Sequence, residues 1–143
     1  MPLSLEHMTL YDEDFVAWAE EQAALLRNGR LAALDLANLA EEIAEMGRSE
    51  RRELDSRLEI LIAHLLKQQF QPEAATRSWV ATINEQRRAL RRLLEASPSL
   101  RKSVGARVQA IYPDARARAI DETGLAEERF PTPPPYTADE VLG

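Results

Sequence analysis

The sequence predicts an all-α protein, a single-domain helical bundle of about five or six helices with a proline-rich arm at the carboxyl end. The helix formers Ala, Leu, Glu and Arg dominate the composition, whereas the aromatic residues that favour strands make up 6%. Apolar side chains recur at the spacing of a helix face. The length of 143 residues matches one ordinary domain. We therefore expect one domain over residues 1–143, with an amino-terminal extension at 1–10 and the arm at 126–143.

The first helix is predicted to begin at Asp12, whose carboxylate can accept hydrogen bonds from free backbone amides. Asn28 and Gly29 end it, because glycine readily adopts the left-handed conformation that closes a helix. The positions that recur at helical spacing are Phe15, Trp18, Ala19, Gln22, Leu25 and Leu26.

The second helical stretch begins after Asp35, and its length depends on Gly47. Apolar positions in 36–46 and 54–66 point in the same direction at about 100° per residue, so one long helix could run through Gly47. Alternatively, Gly47 ends one helix and Ser49 caps another. We favour two helices, because an interior glycine costs about 1 kcal/mol relative to alanine. The apolar face consists of Leu36, Leu39, Ile43, Met46, Leu54, Leu58, Leu61, Ile62, Leu65 and Leu66.

Two further helices follow, and the second is expected to be interrupted. Pro72 ends the long stretch, because residues before a proline avoid helical geometry. The next helix spans about 74–96, and Ser97 caps another, with the proline after it at the first helical position. Pro113 is expected to kink or break that helix, and Gly124 closes its last piece.

The carboxyl-terminal arm begins at the sequence FPTPPP, which cannot be helical. Thr137 and Glu140 fit the capping-box pattern of a short final helix. We expect the arm to pack across the bundle; the alternative is a frayed terminus. Its anchoring side chains are Phe130, Tyr136, Val141 and Leu142.

Composition restricts the possible functions. The chain has no cysteine, which excludes disulfides, thiolate metal sites and thiol nucleophiles. No window approaches the roughly 18 apolar residues that span a bilayer, and no signal-peptide pattern occurs, so we expect a cytoplasmic protein without a membrane partner. The net charge of −6 disfavours bulk attraction to nucleic acid. No cofactor is predicted.

The charge is unevenly distributed along the chain. Residues 1–71 carry 7 basic and 14 acidic side chains, whereas residues 77–118 carry 10 basic and 3 acidic ones. Arg88, Arg91 and Arg92 share one side of a helix and could contact phosphates. We favour a structural interpretation, in which the basic side chains pair with the acidic first half or keep two helices soluble, because no nucleic-acid-binding motif accompanies them.

The candidate metal ligands are His64 and three glutamates, Glu41, Glu42 and Glu45. A di-iron bundle needs Glu-x-x-His on two helices, but residue 61 is a leucine. No histidine pair has the spacing of a zinc site. A single-histidine site assembled from separate helices is what remains for a metal-dependent hydrolase. For the glutamates we favour a solvated acidic helix face.

His64 lies at the rim of the apolar stripe, about 60° beyond its edge. The imidazole could titrate near neutrality or hydrogen-bond to another helix, and we favour the interhelical hydrogen bond. The candidate binding residues on this polar seam are Glu42, Arg57, His64 and Lys67.

Several segments occur in a characteristic order and spacing: YDEDFVAWAEEQAALLRNG, LDLANLAEEIAEMGRSERREL, SRLEILIAHLLKQQFQP, RSW, PSL, DETGL and FPTPPPYTADEVL. With these segments the chain resembles the bacterial domain-of-unknown-function family 29 over nearly its whole length. The resemblance implies a compact helical protein with no established activity.

The preferred functional hypothesis is a non-enzymatic protein-interaction module that binds a protein partner or a second copy of itself. It follows from the uneven charge and from the lack of a catalytic constellation. One alternative is nucleic-acid binding through the basic segment 77–118. A second is a metal-dependent hydrolase that uses His64 and the glutamates.

Overall fold

The computed structural model describes residues 10–143, and the regular secondary structure of this part of the chain is helical, without a β-strand. The predicted all-α class is therefore confirmed. The predicted extension at 1–10 lies, except for its last residue, outside the described residues. After helical residues 10–13, the α-helices are α1 (Phe15–Arg27), α2 (Leu36–Phe70), α3 (Arg77–Ala96), α4 (Val104–Thr123) and α5 (Ala138–Leu142).

Helix α1 begins after Asp14, two residues later than predicted. The Asp14 carboxylate accepts a hydrogen bond from the Ala17 amide at 3.0 Å. Asp12 already belongs to the preceding helical turn, so Asp14 is the cap. The predicted end is confirmed: Gly29 has a φ of +68°, and the Arg30 amide donates to the Leu25 carbonyl at 2.9 Å.

Helix α2 is continuous for 35 residues, so the predicted break at Gly47 is wrong. A side chain at Gly47 would meet no atom within 4 Å, so glycine fills no tight space there. Its cost of about 1 kcal/mol is small beside the hydrogen bonds of the helix on either side. Arg48 pairs with Glu41 at 2.6 Å and with Glu45 at 3.0 Å, which links successive turns across this region.

Helix α4 is also continuous, so the predicted interruption at Pro113 is wrong as well. Pro113 and Gln109, whose carbonyl loses its helical partner, are both exposed, and water can satisfy that carbonyl. Tyr112 and Ala115 are buried on either side of the proline and hold the helix to the core. In the connection between α2 and α3, Thr76 caps α3 by accepting a hydrogen bond from the Trp79 amide.

The chain consists of two compact units, Met1–Arg48 and Ser49–Gly143. The prediction of a single domain stays a prediction. In the second unit, the buried core comes from the carboxyl-terminal half of α2, from α3 and α4, and from the arm. Its largest fully buried side chains are Leu54, Leu58, Leu61, Ile62, Leu66, Leu90, Leu94, Val108, Phe130 and Val141.

The carboxyl-terminal arm packs on this core. Phe130 is 2% exposed, and the Tyr136 hydroxyl donates to the Gln69 amide oxygen at 2.6 Å. The predicted capping box is confirmed, because the Glu140 amide donates to Thr137 Oγ1 at 3.1 Å and the Thr137 amide donates to Glu140 Oε1 at 2.9 Å. Among the described residues, no helix has the length and apolar content needed to cross a membrane.

Candidate functional site

The first unit, as far as it is described, is an antiparallel helical hairpin. The Trp18 indole donates to Asp35 Oδ2 at 2.9 Å, and the Tyr11 hydroxyl donates to Glu42 Oε1. From Trp18 back to Tyr11 is seven residues, and from Asp35 forward to Glu42 is also seven residues. The two helical segments therefore run antiparallel. Gln22 adds a third contact, because its side-chain oxygen accepts from the Asp35 amide at 2.8 Å. These polar contacts set the register of the hairpin.

The acidic candidates Glu41, Glu42 and Glu45 are all engaged within this hairpin. Glu41 and Glu45 form ion pairs with Arg48. Glu42 accepts the hydrogen bond from Tyr11, and this bond together with the negative charge of Glu42 raises the pKa of Tyr11 to about 12. Tyr11 therefore stays protonated and remains a hydrogen-bond donor at neutral pH.

The apolar side chains of the hairpin are largely exposed, which corrects the buried face predicted for the start of α2. Leu36 is 67% exposed, Ile43 is 65% exposed and Met46 is 68% exposed. In α1, Val16 is 65% exposed and Leu26 is 51% exposed. Two helices alone cannot cover both sides of their apolar stripes, so one side of the hairpin stays open.

The open side combines one sector of each helix. At 100° per residue, the positions in α1 span about 80° and those in α2 about 60°. In each helix, the exposed sector is rotated in the same sense away from the residues that face the other helix. Because the two helices are antiparallel, equal rotations bring both sectors to the same side of the hairpin. We call this surface the open apolar face; it consists of Val16, Ala19, Ala23 and Leu26 with Leu36, Ala40 and Ile43.

The candidates Arg57, His64 and Lys67 lie in the second unit, along α2. Lys67 is 6% exposed; its ammonium group lies 3.0 Å from Glu122 Oε1 and 4.8 Å from the centre of the Trp79 ring. The ion pair and the cation–π contact compensate for its burial. Arg57 donates to Gln86 at 3.2 Å and pairs with Glu53 at 3.0 Å.

His64 is hydrogen-bonded within its own helix, so the interhelical bond predicted for it is wrong. Its Nδ1 lies 2.9 Å from the Ile60 carbonyl oxygen, which requires that Nδ1 carry the proton. Partial burial lowers the pKa of His64, and the positive charges of Lys67 and Arg118 act in the same direction. The imidazole is therefore neutral at physiological pH.

No metal centre emerges from the described residues. Within residues 10–143, no group of three or more histidine, aspartate or glutamate side chains is arranged to hold a metal ion. The glutamates are engaged in the first unit and His64 in the second, each by contacts within its own unit. The hydrolase hypothesis therefore gains no ligand set from the described structure.

The basic residues of the segment 77–118 differ in their partners. Two of those in α4 pair with acidic residues of α2: Arg107 binds both oxygens of Asp55 at 2.8 and 2.9 Å, and Arg118 lies 2.9 Å from Glu59. These pairs agree with the structural interpretation of the basic segment. Arg116 instead donates to the backbone carbonyls of Phe130 and Glu127. The other basic residues of the segment form no ion pair with a described residue; they are Arg77, Arg87, Arg88, Arg91, Arg92, Arg101 and Lys102.

Sequence reasoning missed two parts of this arrangement. Val16 was not recognised as a candidate binding residue, and Arg101 was recognised only as part of the basic segment 77–118. Val16 could have been found from its spacing to Ala19, Ala23 and Leu26, which is a second apolar stripe on α1. No sequence signal places Arg101 in one cavity with Arg87 and Arg91, because that cavity also needs the distant carboxyl-terminal arm.

These features define an all-α protein with an open amphipathic hairpin and a core-bearing helical unit. The family model described as "Domain of unknown function DUF29" matches residues 10–143, and the chain belongs to this family. Comparison with curated proteins gave no significant match, and neither did comparison with solved structures.

Proposed function

We propose that the chain is a non-enzymatic protein-interaction module that docks through its open apolar face, and that its partner there is a second copy of the chain. One observation carries the proposal. Eight large apolar side chains are exposed among the described residues, and seven of them belong to the hairpin region. Four lie on the open apolar face, namely Val16, Leu26, Leu36 and Ile43, and Phe15, Leu31 and Met46 lie beside it. Such concentration in one region of the surface is typical of an interaction site.

Burial of this face supplies the driving force. Removing one Val, Leu or Ile side chain from water stabilises a complex by roughly 1.5–3 kcal/mol. Two hairpins that meet through their open apolar faces form an antiparallel four-helix bundle, an arrangement in which every apolar stripe is covered. The interface is the same surface on both copies, as two-fold symmetry requires.

The charges of the hairpin favour a second copy in antiparallel orientation. Arg27 and Arg30 lie at the end where α1 connects to α2, whereas Asp12 and Glu13 lie at the opposite end; all four are exposed. In an antiparallel two-fold arrangement, the basic end of one hairpin meets the acidic end of the other. This complementarity opposes the repulsion expected between two acidic units.

Ile43→Glu tests the proposal. The substitution places a charge on the open apolar face, and glutamate is a good helix former, so the isolated chain should keep its fold. We expect the unaltered chain to be a dimer and the variant a monomer in sedimentation-velocity measurements. Ala44→Glu is the matched control, because Ala44 is exposed on the same helix about 100° away.

Two results contradict the proposal. A monomeric wild-type chain at all accessible concentrations excludes the second copy as the partner. A dimer that withstands Ile43→Glu but dissociates with Ala44→Glu moves the interface to another surface.

A second candidate function is nucleic-acid binding, which the unneutralised basic group of the second unit favours. Arg88 and Arg92 are exposed on α3 and have no acidic partner among the described residues. A phosphate-contact mechanism requires that affinity for DNA or RNA fall steeply with salt. Absent binding, or binding that does not change with salt, excludes this function. We also propose a cytoplasmic location, which the cysteine-free composition supports.

A further inference from the structure

A cavity of about 280 Å³ in the second unit brings together three arginines that are distant in sequence. Arg87 and Arg91 come from α3, and Arg101 comes from the 3-10 helix that follows it. The opposite wall belongs to the carboxyl-terminal arm and includes Asp139 and Leu142. The cavity is near the lower end of the size range of ligand sites, about 300 Å³.

One of these arginines is fixed in place by the backbone of the arm. Arg87 donates from Nε to the Val141 carbonyl at 3.0 Å and from Nη2 to the Glu140 carbonyl at 3.0 Å. Neutral carbonyl groups hold its guanidinium group but leave its charge uncompensated. A charged donor that is already oriented loses little freedom when an anion binds.

The other two arginines have no acidic partner. Among the described residues, neither Arg91 nor Arg101 has a carboxylate within ion-pair distance. Three guanidinium groups outnumber the two acidic groups of the lining, which are the Asp139 side chain and the terminal carboxylate carried by Gly143. The lining therefore carries excess positive charge in a concave site, where a bound anion is partly shielded from water.

The geometry of α3 separates these arginines from others nearby. Arg87, Arg91 and Leu94 occupy positions i, i+4 and i+7, so they lie within about 60° on one side of the helix. Arg88 and Arg92 follow them directly in sequence but point about 100° away and do not line the cavity. The exposed basic surface of α3 and the cavity are thus two different features.

We propose that this cavity binds the phosphate monoester group of a small ligand. A phosphate monoester carries a charge of about −1.5 to −2 at pH 7 and presents three peripheral oxygens, which suits guanidinium donors that approach from three positions. Leu94 and Leu142 supply the apolar part of the lining and contact the carbon portion of the ligand. A monocarboxylate has one charge and two oxygens and satisfies fewer of these donors.

The test uses the full chain and phenyl phosphate as the probe, with isothermal titration calorimetry at low ionic strength. We expect saturable binding that inorganic phosphate displaces. Arg91→Gln and Arg101→Gln should each weaken binding at least tenfold, because each removes a charged donor from the cavity. Arg88→Gln and Arg92→Gln are the matched controls and should change affinity less than twofold. Arg87 is left intact because it also holds the arm.

Each alternative outcome overturns the proposal. Absence of saturable binding to the wild-type chain excludes a phosphate site. Equal affinity for benzoate excludes selectivity for phosphate. Equal losses in the Arg88 and Arg92 variants, together with tighter binding of an oligonucleotide that has only internal phosphates, assign the arginines to nucleic-acid binding. The thermal unfolding temperature of each variant shows whether a loss of binding reflects a loss of fold.

The hairpin dimer and this cavity are tested by different variants, so either proposal can fail alone.

Discussion

At the scale of single residues, His64 shows how a local contact determines ionisation. Its Nδ1 proton is donated to the Ile60 carbonyl, and partial burial disfavours the charged ring. Lys67 and Arg118 add positive charge nearby, whereas Glu122 acts in the opposite direction. The pKa of His64 is consequently lower in the folded state than the ordinary value of 6.5. Protonation of this ring therefore opposes folding.

The replacement His64→Gln should reduce the loss of stability in mild acid. Below pH 6.5 the unfolded state takes up the proton more readily than the folded state, so the wild-type free energy of unfolding falls as pH decreases from that value toward the lower folded-state pKa. Glutamine does not titrate. We expect the free energy of unfolding, measured with urea at about pH 7.5 and about pH 5.5, to decrease less for the variant than for the wild-type chain.

The carboxylates titrate in both proteins and contribute equally to the decrease in unfolding free energy. The difference between the wild-type decrease and the variant decrease therefore reports the contribution of His64. Equal decreases in the wild-type chain and in the variant contradict the assigned direction of the pKa shift.

At the scale of elements, α2 shows that local helix-breaking signals do not always end a helix. Gly47 and Ser49 together resemble a stop and a restart, yet α2 continues through them. Ion pairs of Arg48 span the adjacent turns, and no neighbouring atom requires a glycine at position 47. Pro113 in α4 is a second example, because an exposed helix side tolerates one lost hydrogen bond when its neighbours are buried.

Gly47→Ala should stabilise the protein by about 0.5–1 kcal/mol, because alanine loses less backbone freedom in a helix. Gly124→Ala is the contrasting control: Gly124 has a φ of +71° at the end of α4, a conformation that alanine adopts only with strain. Denaturant unfolding monitored by circular dichroism measures both changes. A destabilising Gly47→Ala indicates that the helix bends at this position in solution.

At the scale of the whole molecule, burial is concentrated in the second unit. The large core of α2, α3, α4 and the arm lies after Ser49. In the described part of the first unit, only Trp18 and Gln22 are buried. The hairpin thus depends on a few polar contacts and on the ring contacts among Tyr11, Phe15 and Trp18. It has less apolar burial than the second unit to stabilise it.

Hydrogen exchange should therefore divide α2 into two parts. Amides of residues 36–46 should exchange much faster than amides of residues 58–66, because protection follows the free energy of local opening. Mass spectrometry of peptides from the Ile43→Glu variant measures this without protection from a dimer interface. Uniform protection along α2 contradicts the prediction and indicates that the whole helix opens as one unit.

The sequence by itself determined the all-α class, the cap at Thr137, the turn at Gly29 and the buried face of α2 from Leu54 onward. These features depend on backbone preferences and on side-chain spacing within one element, which are local properties of the chain. The apolar stripe that contains Val16 could have been predicted from the same local spacing, although it was not recognised.

The tertiary structure alone decided which apolar stripes are covered and which basic residues are neutralised. Leu36 and Leu58 belong to the same predicted apolar face of α2, but only Leu58 is buried in a core. Arg107 and Arg91 lie in the same basic segment, but only Arg107 meets a carboxylate. The physical reason is that burial and ion pairing depend on residues that are far apart in sequence, and helical periodicity carries no information about them.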